Sequence, residues 1–566
     1  MLLREAPDPE PIDPAAWNRV SPGLHAGFGS LDDAESRSVP PPGLPRDGVG
    51  LTGWRGERVA CKLLAWTADP IGTVRIRVTD LVSGAHAIPR DRISPRVVGY
   101  VLTDEFAGGI ERPIKGRIPP HLKPDRLVPA RAFVLPRRET RPIWVSIDIP
   151  PETPAGTYHG AIELESGRFR RSHAVVLTVQ DRVLPPPAAW RFHLDLWQNP
   201  FAVARFHRVR VWSDQHIALL RPLLRTLAAA GQKCITTTLI DKPWGDQVFD
   251  SHGSMVRTIR TAGGAWRYDY SVFDRYVALA LECGISEQIN AYSMVPVGNR
   301  VSWFEERSGR TQSQVLVPGS PEHADFWRPF LRDFRAHLRK RGWLERTCIA
   351  LDEREPEEMR ATLDLLADAA PELRVAMAGF FPRELEPSIH DFSSNWRTVH
   401  EVAGGVANTR RRAGKRTTFY VACMIPKPNN FTFSPPAESC VQGWFAAAMG
   451  LDGFLRWAFN SWPEDPETDS RYITWPSGDT FLIYPGACAS IRFERLREGI
   501  QDFEKIRLLR AEHDSGRSPG LADRFVALES FLKTITPDIL ARRSAADLLA
   551  EGKRHVHELV GPNPPG

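Results

Sequence analysis

Asp352 and Glu353 stand side by side in the run CIALDEREPEEM, where an apolar stretch from Cys348 to Leu351 ends abruptly in acid. A core holds an ionised carboxylate only at a cost of several kcal/mol unless the group is paired or used, so a buried strand that runs into two acids needs a reason. Two carboxyl groups in one place are the material of general acid–base chemistry, in which one holds a proton and the other does not. The same string has a plainer reading as a helix N-terminus. Asp352 would be the N-cap, and Glu353, Glu355, Glu357 and Glu358 would sit in a first turn whose dipole favours negative charge. The element that carries the pair decides between them.

At 566 residues the chain exceeds a single core, and two or three domains are expected. To about residue 185, the runs ERVACKLLAWTA, TVRIRVTDLV, RPIWVSIDIP, GTYHGAIELES and SHAVVLTVQD alternate apolar and polar residues between turns. Regularly spaced strands of this kind predict an N-terminal antiparallel β-sandwich over 1–185. Pro185, Pro186 and Pro187 then form a stiff linker, because proline fixes φ and cannot join a ladder.

After the linker, strands alternate with helices. Strand-like runs fall at 193–198, 234–239, 288–294, 348–353, 374–380, 391–396, 417–423 and 453–460, with the sixth repeat the least regular. Helical patterns separate most of them, and Gly231, Gly284 and Gly342 stand at natural C-cap positions. Eight such repeats predict a central (β/α)8 TIM barrel over 190–512, with the helix from Ser490 closing it. A short C-terminal helical region, 513–566, would follow as two shorter helices, with a disordered GPNPPG end.

A barrel of this type gathers its active site where the strands end. The residues at those ends are Trp197 and Gln198; Thr237 and Thr238; Asn290 and Tyr292; Asp352 and Glu353; Tyr420; and Trp457, Asn460 and Trp462. Carboxylates, aromatics and amides together suit a sugar: an aromatic face covers the apolar side of a pyranose while amides and acids bond its hydroxyls. Neighbouring strand residues point to opposite faces, so both acids share the site only where the strand gives way to loop, and position 352 is expected to be that place.

Other functions find little support. Lys and Arg total 73 against 68 for Asp and Glu, a formal charge of +5 too scattered for nucleic acid. The run Arg410, Arg411, Arg412, Lys415, Arg416 reads as a solvated helix end. Seven separated cysteines without a CxxC spacing argue against a disulfide framework and a zinc site. No HExxH or phosphate loop occurs, so neither metal nor cofactor is expected; Lys233 and His216 read as structural. No stretch approaches the roughly 20 apolar residues of a membrane span. The N-terminus lacks the apolar core of a signal peptide, which predicts a cytoplasmic protein or one exported with its leader removed.

The motifs GQKCITTTL with PWGDQ, QINAYSMVPVGNR, IALDEREP, FTFSPPAE, GFLRWAFNSWPEDP, and GDTFLIYPG followed by SIRFERLREGIQDFEKIRLL occur in the order of one family. Through them the chain resembles glycoside hydrolase family 123, from LDLWQNPFAVARF to the C-terminal helix. The resemblance implies a retaining, exo-acting β-N-acetylgalactosaminidase on terminal β-linked GalNAc. The substrate's own 2-acetamido oxygen would be the nucleophile, forming an oxazolinium ion. Asp352, matching the family's first acid, would orient the acetamido N–H; Glu353, matching the second, would protonate the leaving oxygen and later activate water. A negative Asp352 would raise the pKa of Glu353. Tyr420, or failing it Tyr292, would donate to the acetamido carbonyl, and Trp457, Trp462 and Trp197 would form the sugar platform, with Asn290 and Asn460 as further contacts. The rivals are a β-N-acetylhexosaminidase preferring GlcNAc and a non-catalytic glycan-binding protein on the same barrel.

Overall fold

In the computed structural model, which describes residues 3–43, 46–104, 119–472, 475–516 and 519–560, the alternating runs of the first third form two facing sheets. One has the strand order His25–Gly29, Arg58–Thr67, Glu139–Asp148, Ile93–Thr103, His121–Pro129; the other runs Gly48–Arg55, Phe169–Val183, Gly156–Ser166, Gly72–Val78, Ala132–Leu135. Inward residues of both, among them Leu63, Val97 and Ile143 from the first and Ile76, Leu164 and Leu177 from the second, make one core. Pairing is antiparallel except where Gly48–Arg55 runs parallel to Phe169–Val183. This is the expected sandwich.

Eight parallel strands follow, and they are the predicted ones: His193–Leu196, Cys234–Thr238, Gln288–Tyr292, Thr347–Asp352, Arg374–Gly379, Asp391–Asn395, Arg416–Tyr420 and Gly453–Arg456. They pair in sequence order, and the eighth returns to the first. The seam between first and second strands closes through side-chain amides instead of a regular ladder. Gln232 Oε1 accepts from Leu196 N at 3.0 Å and its Nε2 donates to Cys234 O at 2.8 Å, while Gln198 Oε1 accepts from Thr236 N at 2.8 Å. Helices Asp214–Ala228, Ser271–Glu282, Pro321–Arg341 and Pro356–Ala369 follow the first four strands, and Gly342 caps the third of these at φ 71°. That conformation strains any residue with a Cβ.

Three features depart from the expected pattern. No α-helix follows the fifth strand, only a short 3-10 turn, Glu386–Ser388. Arg410, on the helix after the sixth strand, is buried against this stretch and donates to the carbonyls of Ile389 and Arg416 and to the Glu386 carboxylate. The basic run is thus only partly the solvated end that its composition suggested. A four-stranded sheet, in the order Trp266–Asp269, Arg257–Arg260, Arg300–Glu305, Arg310–Val315, is built from the loops after strands two and three.

The chain forms two compact units whose limits differ from the linear boundaries at 185 and 512: Met1–Trp190 with Cys423–Ala448 and Asp465–Gly566, and Arg191–Ala422 with Met449–Glu464. Helix Ile491–Asp514 therefore packs within the first unit, where it crosses helix Ala437–Met449. A Cβ on Gly443 would lie 2.0 Å from Gly499 O, so this crossing requires glycine. Three helices, Ala522–Leu532, Pro537–Arg542 and Ala545–Val560, end the described chain where two were expected; GPNPPG lies outside the described residues.

Candidate active site

The fourth strand reads TCIALD, and its burial explains why it ends where it does. Thr347 to Leu351 are fully buried; Asp352 is half-buried at the last ladder position, opposite Ala378 of the fifth strand. Alternation turns Cys348, Ala350 and Asp352 toward the barrel axis. Small side chains there, with Ala376 and Ala378 beside them, leave room for the rings of Trp197, Trp244, Tyr292 and Tyr420 in the same cluster. The plainer reading of the acids is excluded: the following helix begins at Pro356 with Glu355 as its N-cap.

Glu353 leaves the strand in a left-handed conformation, φ 42°, which is uncommon for a residue with a side chain and costs roughly 1–2 kcal/mol. Its N–H still bonds Ala378 O at 3.0 Å, and Arg354 holds its carbonyl at 3.2 Å while reaching Val295 O at 2.8 Å. The turn breaks the alternation that would have thrown Glu353 to the opposite face. Its carboxylate instead accepts a hydrogen bond from the Tyr420 hydroxyl at the end of the seventh strand. Asn395, last in the sixth strand, donates to the Tyr420 oxygen at 2.9 Å and accepts from Arg397 N at 3.0 Å. Burial, and then the Glu353 charge, push the Tyr420 hydroxyl far above its ordinary pKa, so it remains a proton donor.

Burial first, and the neighbouring Glu353 charge second, push the Asp352 carboxyl up to about 7, against the opposing pull of Arg354 and a hydrogen bond from the Trp244 indole. Burial thus favours the protonated form of Asp352, which the sequence had suggested as the ionised member. Asp352 lies inside the strand end, and Glu353 is exposed on the turn. Trp244 also packs on Trp197 at 5.0 Å and Tyr292 at 4.7 Å, and Trp197 lies 4.7 Å from Tyr292. These three rings form a closed wall, whereas Trp457, beyond the eighth strand, is half-buried at the edge of the same cluster.

Three expected site residues are occupied elsewhere. Asn290 is buried within the barrel, donating to Asp195 Oδ2 at 3.0 Å and accepting from Gln288 at 2.8 Å. Asn460 uses its amide to bond both backbone groups of Asn199, at 2.8 and 2.7 Å, so it splices the loop after the eighth strand to the end of the first. Trp462 is 1 % exposed and meets Phe206 edge-on at 5.7 Å, a core position with no open face for a sugar. Trp244 and Asn395 were missed as site residues. Trp244 lies in PWGDQ, past the strand end, and Asn395 ends the least regular strand.

Beneath the site His193, Cys234 and Asp391 come together with all three ligand atoms within 4.8 Å. Hydrogen bonding accounts for them: His193 Nε2 meets Asp391 Oδ2 at 3.1 Å, and Gln288 donates to the same oxygen at 2.7 Å. Burial works against the charged ring, but the Asp391 carboxylate outweighs it and raises the His193 pKa; His193 and Gln288 in turn overcome Asp391's own burial and bring its carboxyl down to about 2. The site itself is therefore two carboxyl groups, a donor hydroxyl and an aromatic wall, a set suited to moving a proton at a sugar's glycosidic oxygen.

Comparison with known proteins agrees. The model of the glycoside hydrolase 123 catalytic domain matches residues 197–509, and that of the glycoside hydrolase 123 N-terminal domain matches residues 28–166. No protein of curated function matches the chain. Among solved structures, a family 123 glycoside hydrolase from Clostridium perfringens, described in terms of glycolipid glycan hydrolysis, is similar with a TM-score of 0.85 and 24% identity over 95% of this chain and 98% of that one. A GH10 xylanase with a bacterial Ig-like domain, from termite gut, aligns over 81% of this chain and 100% of its own at a TM-score of 0.33 and 10% identity, too distant to carry weight. With its catalytic-domain match spanning more than half of its length, the chain belongs to glycoside hydrolase family 123.

Proposed function

We propose that this glycoside hydrolase is a retaining, exo-acting β-N-acetylgalactosaminidase that uses the substrate's 2-acetamido group as nucleophile. The observation that carries the reading is the placement of Asp352 and Glu353 on consecutive residues at one strand end, with separate partners, Trp244 and Tyr420. A protein nucleophile and an acid in an ordinary retaining enzyme flank the scissile bond about 5–5.5 Å apart. Two acids from one turn approach from one side, which suits an acid together with a positioner of an internal nucleophile.

Before substrate binds, burial favours the protonated form of Asp352, while Tyr420 donates to the Glu353 carboxylate. Binding turns the acetamido N–H toward Asp352, which rewards its anion. The proton is then better held on Glu353, where it is needed. Tyr420, freed from Glu353, donates to the acetamido carbonyl and orients its oxygen at the anomeric carbon. Glu353 protonates the leaving oxygen as the C–O bond breaks and the oxazolinium ring closes; it then takes a proton from the water that opens the ring. Holding the internal nucleophile in place supplies several kcal/mol of the barrier lowering. Trp457 supplies the face on which the pyranose stacks. The description of the Clostridium perfringens enzyme makes a glycolipid-borne terminal GalNAc the natural candidate substrate.

The test is a panel of aryl β-GalNAc and β-GlcNAc glycosides with the first-formed anomer followed by NMR. Faster release from GalNAc with β-anomer formed first is expected. Preference for GlcNAc would reassign the specificity, and binding without turnover would make the barrel a glycan receptor.

A further inference from the structure

The four-stranded sheet built from the loops after strands two and three has two unlike faces. Trp266, Tyr268 and Trp303 pack on helix Pro321–Arg341, with Trp266 5.3 Å from Phe326 and Tyr268 5.2 Å from Phe330. This anchors one face. Strand register places Arg257, Asp269, Ser302, Phe304 and Thr311 on the other. There they line a cavity of about 360 Å³ together with Asp241 and Ser254, within the range of small-ligand sites.

The lining is organised. Arg257 lies over the Phe304 ring at 5.0 Å and, among the described residues, forms no ion pair. Asp269 accepts from Ser271 N at 2.9 Å through one oxygen, and that bond, then Arg257 and Arg267, keeps its carboxyl below the ordinary range. Asp241 is fixed by Ser254 N at 2.8 Å and Ser302 Oγ at 2.7 Å. Carboxylate acceptors, a guanidinium donor and hydroxyls around an aromatic patch match the alternating donors and acceptors of a sugar. Two carboxylates in the same wall disfavour a phosphate or other anion. Asp241 also lies three residues before Trp244, a span of at most about 11 Å, so one loop carries both a wall of this cavity and the indole that bonds Asp352.

We propose that this cavity is a second glycan subsite, which binds a neutral hexopyranose of the chain that carries the terminal GalNAc. It rests on the proposed function for its place in the reaction, but it binds without chemistry. The subsite contributes affinity for extended glycans and none for short artificial substrates.

Hydrolysis of a nitrophenyl β-GalNAc glycoside and of a GalNAc-capped tetrasaccharide is compared in the wild type, Arg257→Gln and Thr311→Trp. Both variants should lose about tenfold in kcat/KM on the tetrasaccharide, through KM, and stay within about twofold on the nitrophenyl glycoside. Equal losses on both substrates, or no loss on the tetrasaccharide, would overturn the proposal. A second measurement separates it from the catalytic reading: the trisaccharide lacking GalNAc is titrated by saturation-transfer NMR against Glu353→Gln, alone and combined with Arg257→Gln. Binding that Arg257→Gln abolishes supports the subsite even if the wild type cleaves neither glycoside, a result that would sink only the proposed activity. Absence of binding to Glu353→Gln alone overturns the subsite.

Discussion

At the scale of single residues the account turns on one shared proton. Burial pushes the Asp352 carboxyl up to about 7, and the proposed mechanism passes that proton to Glu353, so kcat/KM should fall as pH rises through about 7. A profile flat to pH 9 would contradict the assignment. The same shift is a stability statement. The folded carboxyl binds a proton more tightly than the unfolded one, whose pKa is about 3.9, so stability is lost as pH rises from about 4 to about 7 and is constant above. Three pH units set a ceiling of about 4 kcal/mol; solvent screening at the half-buried carboxyl reduces this to about 1–2 kcal/mol. Asp352→Asn should therefore melt higher than the wild type at pH 8, by a margin that narrows at pH 5, while being severely slowed. Glu353→Gln should lose about 10²–10⁴ in kcat on natural glycosides. A substrate with a good leaving group, which needs no proton, should recover part of the first step.

At the scale of elements, the barrel strands could be read in the sequence because each begins as an apolar run and ends at polar residues. The turn at Glu353 could not, since a left-handed residue without glycine leaves no compositional mark. Asn460 and Trp462 were expected in the site because they follow a strand end. Their partners, the Asn199 backbone and Phe206, are more than 250 residues away in sequence, and no local pattern announces them. Arg410 shows the same limit, a surface-like run whose one buried member serves a connection without a helix. The distinction has a measurable consequence. Asn460→Ala strands both backbone groups of Asn199 and should cost about 2–3 kcal/mol in unfolding experiments, with KM for an aryl glycoside nearly unchanged. A large rise in KM without destabilisation would return Asn460 to the site.

At the scale of the whole molecule, the chain divides into two compact units. In the first, Arg492 and Asp125 pair at 2.9 Å, both nearly inaccessible, and Arg492 also bonds the carbonyls of Asn430, Gly478 and Phe481, so that one cation joins the sandwich strand His121–Pro129 to helix Ile491–Asp514. Asp125→Ala leaves that cation uncompensated and should cost about 3–5 kcal/mol, seen as early melting of this unit by calorimetry. The proposed site lies in the barrel unit, and the central claim of the proposed mechanism is that the nucleophile arrives with the substrate. The direct measurement is inhibition by GalNAc-thiazoline, a stable mimic of the cyclised intermediate, against an aryl β-GalNAc substrate. The account predicts competitive inhibition with an inhibition constant at least about 10² below KM, as expected for a ligand resembling the transition state; no inhibition at millimolar concentration, in an enzyme that turns the substrate over, would contradict it.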